Sequence, residues 1–205
     1  MRQWKQANIQ DIYDQGFWER WEEYHELTGK QVGIVGFGQI GTRVARRLAG
    51  WECDVVYYDI QDIDPDTEES TNVSRLELDD LLKTSDVVTL HVPLNKTTRG
   101  LISDREFDLM KPSSILINTC RGAVIDEAAL IRSLDSEQIA GVGLDVTDQE
   151  PIESENPLLK RDNVVILPHL AGLSIEARLK ALDNALYNAV QLAKGNEPRG
   201  IILPL

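Results

Sequence analysis

Three side chains able to hold an anion and move a proton stand in short, distinctive motifs: Arg121 in Asn118-Thr119-Cys120-Arg121-Gly122, Glu150 in Glu150-Pro151, and His169 in Pro168-His169. A fourth motif, Gly143-Leu144-Asp145-Val146, adds Asp145. Each lies at or just beyond the end of an apolar run that reads as a strand. Open parallel sheets bind their ligands along that edge. Arginine offers a carboxylate a planar, bidentate partner, and histidine exchanges protons near neutral pH. Together an arginine, an acid and a histidine make a proton-transfer site with a carboxylate clamp.

Upstream lies Gly36-Phe37-Gly38-Gln39-Ile40-Gly41. A G-x-G-x-x-G alone is weak evidence. Here it follows a predicted strand and opens a predicted helix, and Asp59 stands 21 residues beyond Gly38. That is the dinucleotide-binding fingerprint. The glycines allow a tight turn and close approach of a pyrophosphate, which the helix N-terminus attracts with free N–H groups. Asp59 accepts hydrogen bonds from the adenosine ribose. It would repel a 2′-phosphate, and Ile60 and Gln61 supply no cation to receive one, so NAD(H) is expected over NADP(H).

Elements that could position these groups follow from periodicity. Strands are expected at 31–35, 54–59, 86–92, 113–118, 138–146 and 163–168. Helices are expected at 39–49, 76–83, 103–110 and 126–134, with a long one over 174–194. Strands apolar on both faces, each separated by a helix, predict an α/β fold: a Rossmann doubly wound parallel sheet covered on both sides. Residues 1–29 read as a linker helix region with Trp18, Trp21 and Tyr24 at helical spacing, 30–195 as the cofactor domain, and 196–205 as a tail.

Bulk properties narrow the function. With 34 acidic and 21 basic residues the net charge is −13, which disfavours nucleic acids and anionic membranes as partners. No run approaches the roughly 18 apolar residues of a membrane span, and the polar first residues carry no signal-peptide core. Two cysteines, Cys53 and Cys120, imply no disulfide framework. A cytoplasmic protein is expected, with NAD as cofactor and no metal site.

The ordered set of motifs resembles the D-isomer-specific 2-hydroxyacid dehydrogenase family over about residues 16–200. The carriers are the glycine loop, N-x-x-R-G, G-L-D-V-x-x-x-E-P and N-V-x-x-x-P-H, with His91-Val92-Pro93-Leu94 and Thr97-Thr98-Arg99-Gly100 between them. The resemblance implies Arg121 as substrate-binding arginine, Glu150 as the acid supporting the histidine, and His169 as proton donor or acceptor. It implies that Asp145 contacts the nicotinamide carboxamide. Gly36, Gly38, Gln39, Ile40, Gly41 and Asp59 would hold the cofactor, with His91, Val92, Pro93, Thr98, Thr119, Cys120 and Gly172 along it. His91 is expected to line the cleft through its backbone, and His25 has no motif context. Cys120 stands where the family usually has a small residue, so nucleophilic catalysis there is not expected. Leu173 likewise replaces a small residue.

Full-length members resemble one another in a further substrate domain of roughly a hundred residues, which is expected to be absent here. The tail Pro198-Arg199-Gly200-Ile201 resembles phosphoglycerate-dehydrogenase and hydroxypyruvate-reductase-like members. Two readings follow. The chain is the cofactor domain of a dehydrogenase acting on a small 2-hydroxy or 2-keto acid and forming a homodimer. Alternatively it is a stand-alone NAD(H)-binding module without turnover. The complete Arg121, Glu150 and His169 set favours the first.

Overall fold

A computed structural model of the chain describes residues 25–200. The expected helix near Trp18 and Trp21 lies outside the described residues. Seven parallel strands form one sheet: β1 (Gln31–Val35), β2 (Asp54–Tyr58), β3 (Ser74–Arg75), β4 (Val87–Leu90), β5 (Ile115–Asn118), β6 (Gly141–Leu144) and β7 (Val164–Ile166). Their order is β3-β2-β1-β4-β5-β6-β7, so the chain winds one way from β1 to β3 and then crosses to β4. The strand order reverses beside β1, where such sheets open a ligand crevice.

Alternation along the strands builds a core on each face. Ile34, Val55 and Tyr57 join Phe37 and Ala45 on one side. Val35, Val56, Val88, Leu90, Leu116 and Val142 face the other. The first face packs on α1 (Gln39–Leu48), where Gly41 and Ala45, four apart, are buried. The second packs on α3 (Leu78–Thr84), α4 (Asp104–Leu109) and α5 (Glu127–Asp135) through Leu81, Leu82, Phe107, Leu130 and Leu134. Each fully buried aliphatic side chain of this size stabilises the fold by about 1.5–3 kcal/mol.

The structure adds a helix and a strand that periodicity missed, besides 3-10 turns at Gly122–Val124 and Pro157–Lys160. Helix α2 (Pro65–Thr71) reads PDTEEST, so it has no apolar stripe to announce it; Pro65 and the acids of its first turn start it instead. Strand β3 is two exposed residues on the sheet edge. The expected strands also end earlier than their apolar runs, at residues 90, 144 and 166. Beyond those points the chain peels away into loops that carry the site.

The last helix, α6 (Ile175–Ala193), is capped by Ser174, whose Oγ accepts from Ala177 N–H at 3.0 Å. None of its residues is buried. Leu179, Leu182, Leu186 and Val190 form an exposed stripe, and Val165 on edge strand β7 is 63% exposed. The expectation of a sheet covered on both sides therefore holds at β1 and β2, which contribute to both cores, and lapses toward β5 and β7, where Ile115 is 42% exposed and Val165 bare.

Candidate active site

The glycine turn is shaped by contacts that leave no room for a side chain. Gly36 has φ of 94°, and a Cβ there would stand 2.8 Å from the His91 carbonyl. A Cβ on Gly41 would stand 2.2 Å from the Gly36 oxygen, so α1 can approach the turn only as glycine. Gly38 is the N-cap of α1, has no side-chain cap, and faces open space. Gln39 and Ile40 begin the helix behind it, so its first N–H groups point into the crevice unclaimed by any side chain. A cradle that glycine keeps empty and an uncapped helix start fit a dinucleotide pyrophosphate.

Asp59 follows β2 and is held from two sides. Phe37 N–H donates to Oδ2 at 2.7 Å and Gln61 N–H to Oδ1 at 2.9 Å. Across the crevice His91 N–H donates to Val35 O, which seats its backbone on the glycine turn. Its Nε2 lies 3.0 Å from Thr89 Oγ1, and burial pushes its pKa down to about 4, so the ring is neutral near pH 7. Val92 and Pro93 continue the wall. The Thr98 hydroxyl donates to Pro93 O at 2.5 Å and accepts from Asn95 N–H at 2.9 Å, so it closes the loop and shapes the cleft. The resulting cavity, about 380 Å³, is lined by Gly36, Gly38, Asp59, Ile60, His91 and Val92 among others.

The second cluster is assembled where β5, β6 and β7 end side by side. Buried Asn118 closes the first loop: its Nδ2 donates to Arg121 O at 2.9 Å and its Oδ1 accepts from Cys120 N–H at 3.0 Å. Thr119 and Cys120 are half-buried in that loop. Burial pushes the Cys120 thiol up from its ordinary value, which keeps it protonated and unreactive. Arg121 is exposed beyond it. Gly122 then abuts the next loop so closely that a Cβ would stand 2.0 Å from the Thr147 carbonyl carbon.

Asp145, buried at the end of β6, takes a structural part that sequence reading missed. Its Oδ1 accepts from Leu170 N–H at 2.7 Å and its Oδ2 from Ala171 N–H at 2.9 Å. Its own N–H donates to Asn118 O, and its carbonyl accepts from His169 N–H at 2.8 Å. It thereby clamps the loop in which His169 adopts the left-handed backbone conformation, φ 55°. Each carboxylate oxygen retains a lone pair for a further partner. Gly172 lies exposed farther along the loop and lines neither the dinucleotide cavity nor the recess beside His169.

His169 Nδ1 lies 2.9 Å from Glu150 Oε2, and Thr147 N–H donates to Glu150 Oε1 at 3.3 Å. The His169 hydrogen bond, seconded by the Thr147 N–H and the Arg121 charge, lowers the Glu150 pKa, so this acid stays ionised. With Nδ1 turned to Glu150, Nε2 is the nitrogen left to exchange a proton. The pair rims an open, largely apolar recess of about 490 Å³. Sequence reading placed Asn118 in its motif without a role and passed over Thr147; a polar residue ending an apolar strand run beside a charged motif was the available signal.

Comparison with known proteins agrees with this arrangement. The family described as D-isomer-specific 2-hydroxyacid dehydrogenase, NAD-binding domain, matches residues 1–171. A glyoxylate reductase of Thermofilum pendens is 41% identical over 192 residues, covering 91% of this chain and 57% of that protein. A D-3-phosphoglycerate dehydrogenase of Archaeoglobus fulgidus is 39% identical, covering 92% of this chain and 36% of that one. Among solved structures, Rhodotorula graminis D-mandelate dehydrogenase superposes with a TM-score of 0.85 at 32% identity, covering 94% of this chain and 57% of that one. The NAD-complexed D-isomer-specific 2-hydroxyacid dehydrogenase of Lactobacillus delbrueckii ssp. bulgaricus gives 0.79 at 33%, covering 87% and 58%. The chain spans about half the length of most of these relatives. On the strength of the glycine crevice, the strand-end cluster and these matches, the chain belongs to the D-isomer-specific 2-hydroxyacid dehydrogenase family and carries its NAD-binding domain.

Proposed function

We propose that residues 30–195 serve as the cofactor half of an oxidoreductase that interconverts a small D-2-hydroxy acid and its 2-keto acid. The observation that carries this reading is the His169–Glu150 pair at 2.9 Å, set beside the Arg121 loop by the Gly122–Thr147 contact. The nicotinamide, when bound, supplies or receives the hydride. Arg121 holds the substrate carboxylate. His169 Nε2 gives a proton to the forming hydroxyl or removes it in the reverse direction. Ionised Glu150 fixes the ring's tautomer and orientation. Gly36, Gly38, Gln39, Ile40 and Gly41 receive the pyrophosphate and Asp59 the adenosine ribose. His91, Val92, Pro93, Thr98, Thr119, Cys120 and Asp145 border the rest of the cofactor, and Gly172, outside both cavities, does not.

By itself the chain binds NAD(H) and turns over poorly. The His169 and Glu150 side chains are 51% and 41% exposed, so water competes at the reacting atoms. Closure over such a site strengthens its electrostatics, and orientation lowers a barrier by on the order of 7–11 kcal/mol. The exposed stripe of α6 and the bare edge at β7 favour a homodimer. The charge of −13 favours neither nucleic acid nor membrane as partner and suits a cytoplasmic setting. No described helix is long and apolar enough to cross a membrane.

The test pairs an NADH binding curve with steady-state NADH oxidation on glyoxylate, hydroxypyruvate and pyruvate. Saturable NADH binding with slow, Arg121-dependent oxidation is expected. Turnover near an ordinary enzyme's, roughly 10 per second, would overturn the reading of the open site. Turnover indifferent to Arg121→Ala would remove the dehydrogenase assignment and leave a cofactor-binding module. Light scattering that gives a monomer mass would remove the dimer.

A further inference from the structure

We infer that Arg75 is a specificity-determining residue of the dinucleotide site: a cation already in place for a 2′-phosphate, kept from one by Asp59. This rests on the proposed placement of Asp59 at the adenosine ribose and goes beyond it. Arg75 ends β3, the edge strand, and pairs in register with Tyr57 of β2. Its Nη2 donates to the main-chain oxygen of Asp59 at 2.9 Å, and its Nη1 to Asp62 Oδ1 at 2.8 Å. The guanidinium is thus bonded to the very residue whose carboxylate faces the ribose. Sequence reading found no cation at 60 or 61; the sheet brings one in from 16 positions beyond Asp59.

The partner that now occupies Arg75 is weakly held. The Asp62 side chain is 99% exposed, and an ion pair in that setting contributes little and exchanges readily. A phosphate monoester carries nearly two charges and three acceptor oxygens, which suit a guanidinium far better than one solvated carboxylate. The obstacle is Asp59. Phe37 N–H and Gln61 N–H hold both of its oxygens, so it cannot swing aside, and a 2′-phosphate beside it meets a fixed like charge. Asp62 and Glu77 are the other acids near Arg75, and Glu68 is engaged with the Tyr57 hydroxyl behind it. With Asp59 neutralised, Arg75 becomes the cation that receives the phosphate.

The test is fluorescence titration of NADH and NADPH into the parent chain, Asp59→Asn, Arg75→Gln and the double variant. Asp59→Ser is run alongside, because it removes the charge without turning an amide N–H against Phe37 or Gln61. Neutralising Asp59 should tighten NADPH by about tenfold or more, and the double variant should lose that gain, as expected for one charge-assisted contact. Arg75→Gln alone should still bind NADH, which reports an intact fold. A double variant that binds NADPH as tightly as the Asp59 variant overturns the inference about Arg75. If neither Asp59 variant changes the affinity for NADH or NADPH, the placement of Asp59 at the ribose fails instead.

Discussion

The two ends of the crevice are built from different materials. At the glycine turn, geometry is set by backbone: Gly36 packed against His91, Gly41 of α1 packed against Gly36, Gly38 left open between them, and Asp59 fastened by two main-chain N–H groups. At the ends of β5, β6 and β7, geometry is set by side chains: Asn118 and Thr147 close their own loops, and Asp145 and Glu150 reach across to the loop of His169. The first end is anchored between two buried cores. The second opens on a recess and leaves its reactive pair half exposed. On the proposed function, cofactor binding needs only the first, whereas proton transfer needs the second and something to exclude water from it.

The largest effect that separates the ends should come from His169→Ala. Turnover should drop by about 10²–10⁴, the usual contribution of general acid–base catalysis. The NADH binding curve should stay in place; its collapse would mean that the two ends are not independent.

Next in size is Asp145→Ala, which orphans the N–H groups of Leu170 and Ala171. Leu170 and Ala171 are exposed, so water can reach the freed N–H groups; each lost hydrogen bond to a charged acceptor still costs about 1.5–3 kcal/mol, and urea unfolding should show a loss of that order. The left-handed turn at His169 loses its clamp as well. An unchanged midpoint would show that the loop is held by other contacts.

A third difference is set by pH. The His91 pKa falls from 6.5 to about 4 in the folded chain because of burial, so between those values the unfolded chain binds a proton that the folded chain refuses. Stability attributable to this group is complete above pH 6.5 and declines as pH falls toward 4, by up to about 1.4 kcal/mol per unit. His91→Gln should flatten thermal melts across that window. At the other end Glu150 works in the acid range: its lowered pKa gives stability above the ordinary carboxylate value, lost as pH falls through the folded one. Solvent screening keeps that contribution small.

The smallest effect should be Thr147→Val. It removes the hydroxyl that donates to Gln149 O at 2.7 Å and leaves the N–H to Glu150 in place. A loss of about 1 kcal/mol is expected in urea unfolding. A much larger loss would make this turn, rather than Asp145, the main support of the catalytic end.

Much of the molecule was legible beforehand for one reason: its signals are local. An apolar run bounded by turns marks a strand, Gly36-Phe37-Gly38-Gln39-Ile40-Gly41 marks a phosphate turn, and Asp59 lies at a fixed distance from both. Arg121, Glu150 and His169 stood out because each is embedded in a short motif. Helix α2 and strand β3 did not stand out, since PDTEEST buries almost nothing and Ser74–Arg75 is held only by its neighbour strand.

What the sequence determined by itself is therefore the order of most elements, the glycine turn and the short motifs that carry Arg121, Glu150 and His169, all of which depend on residues close in the chain. What only the tertiary structure decided is which distant groups touch. Arg75 reaches Asp59 because two parallel strands pair. Asp145 grips the His169 loop because β6 and β7 end side by side. Gly122 meets Thr147 because β5 and β6 do the same. The exposed face of α6 is decided the same way: its apolar stripe is written in the chain, but whether anything covers it depends on what the fold brings within reach. Periodicity reports that a side chain is apolar or charged; only the register of strands far apart in sequence reports its partner.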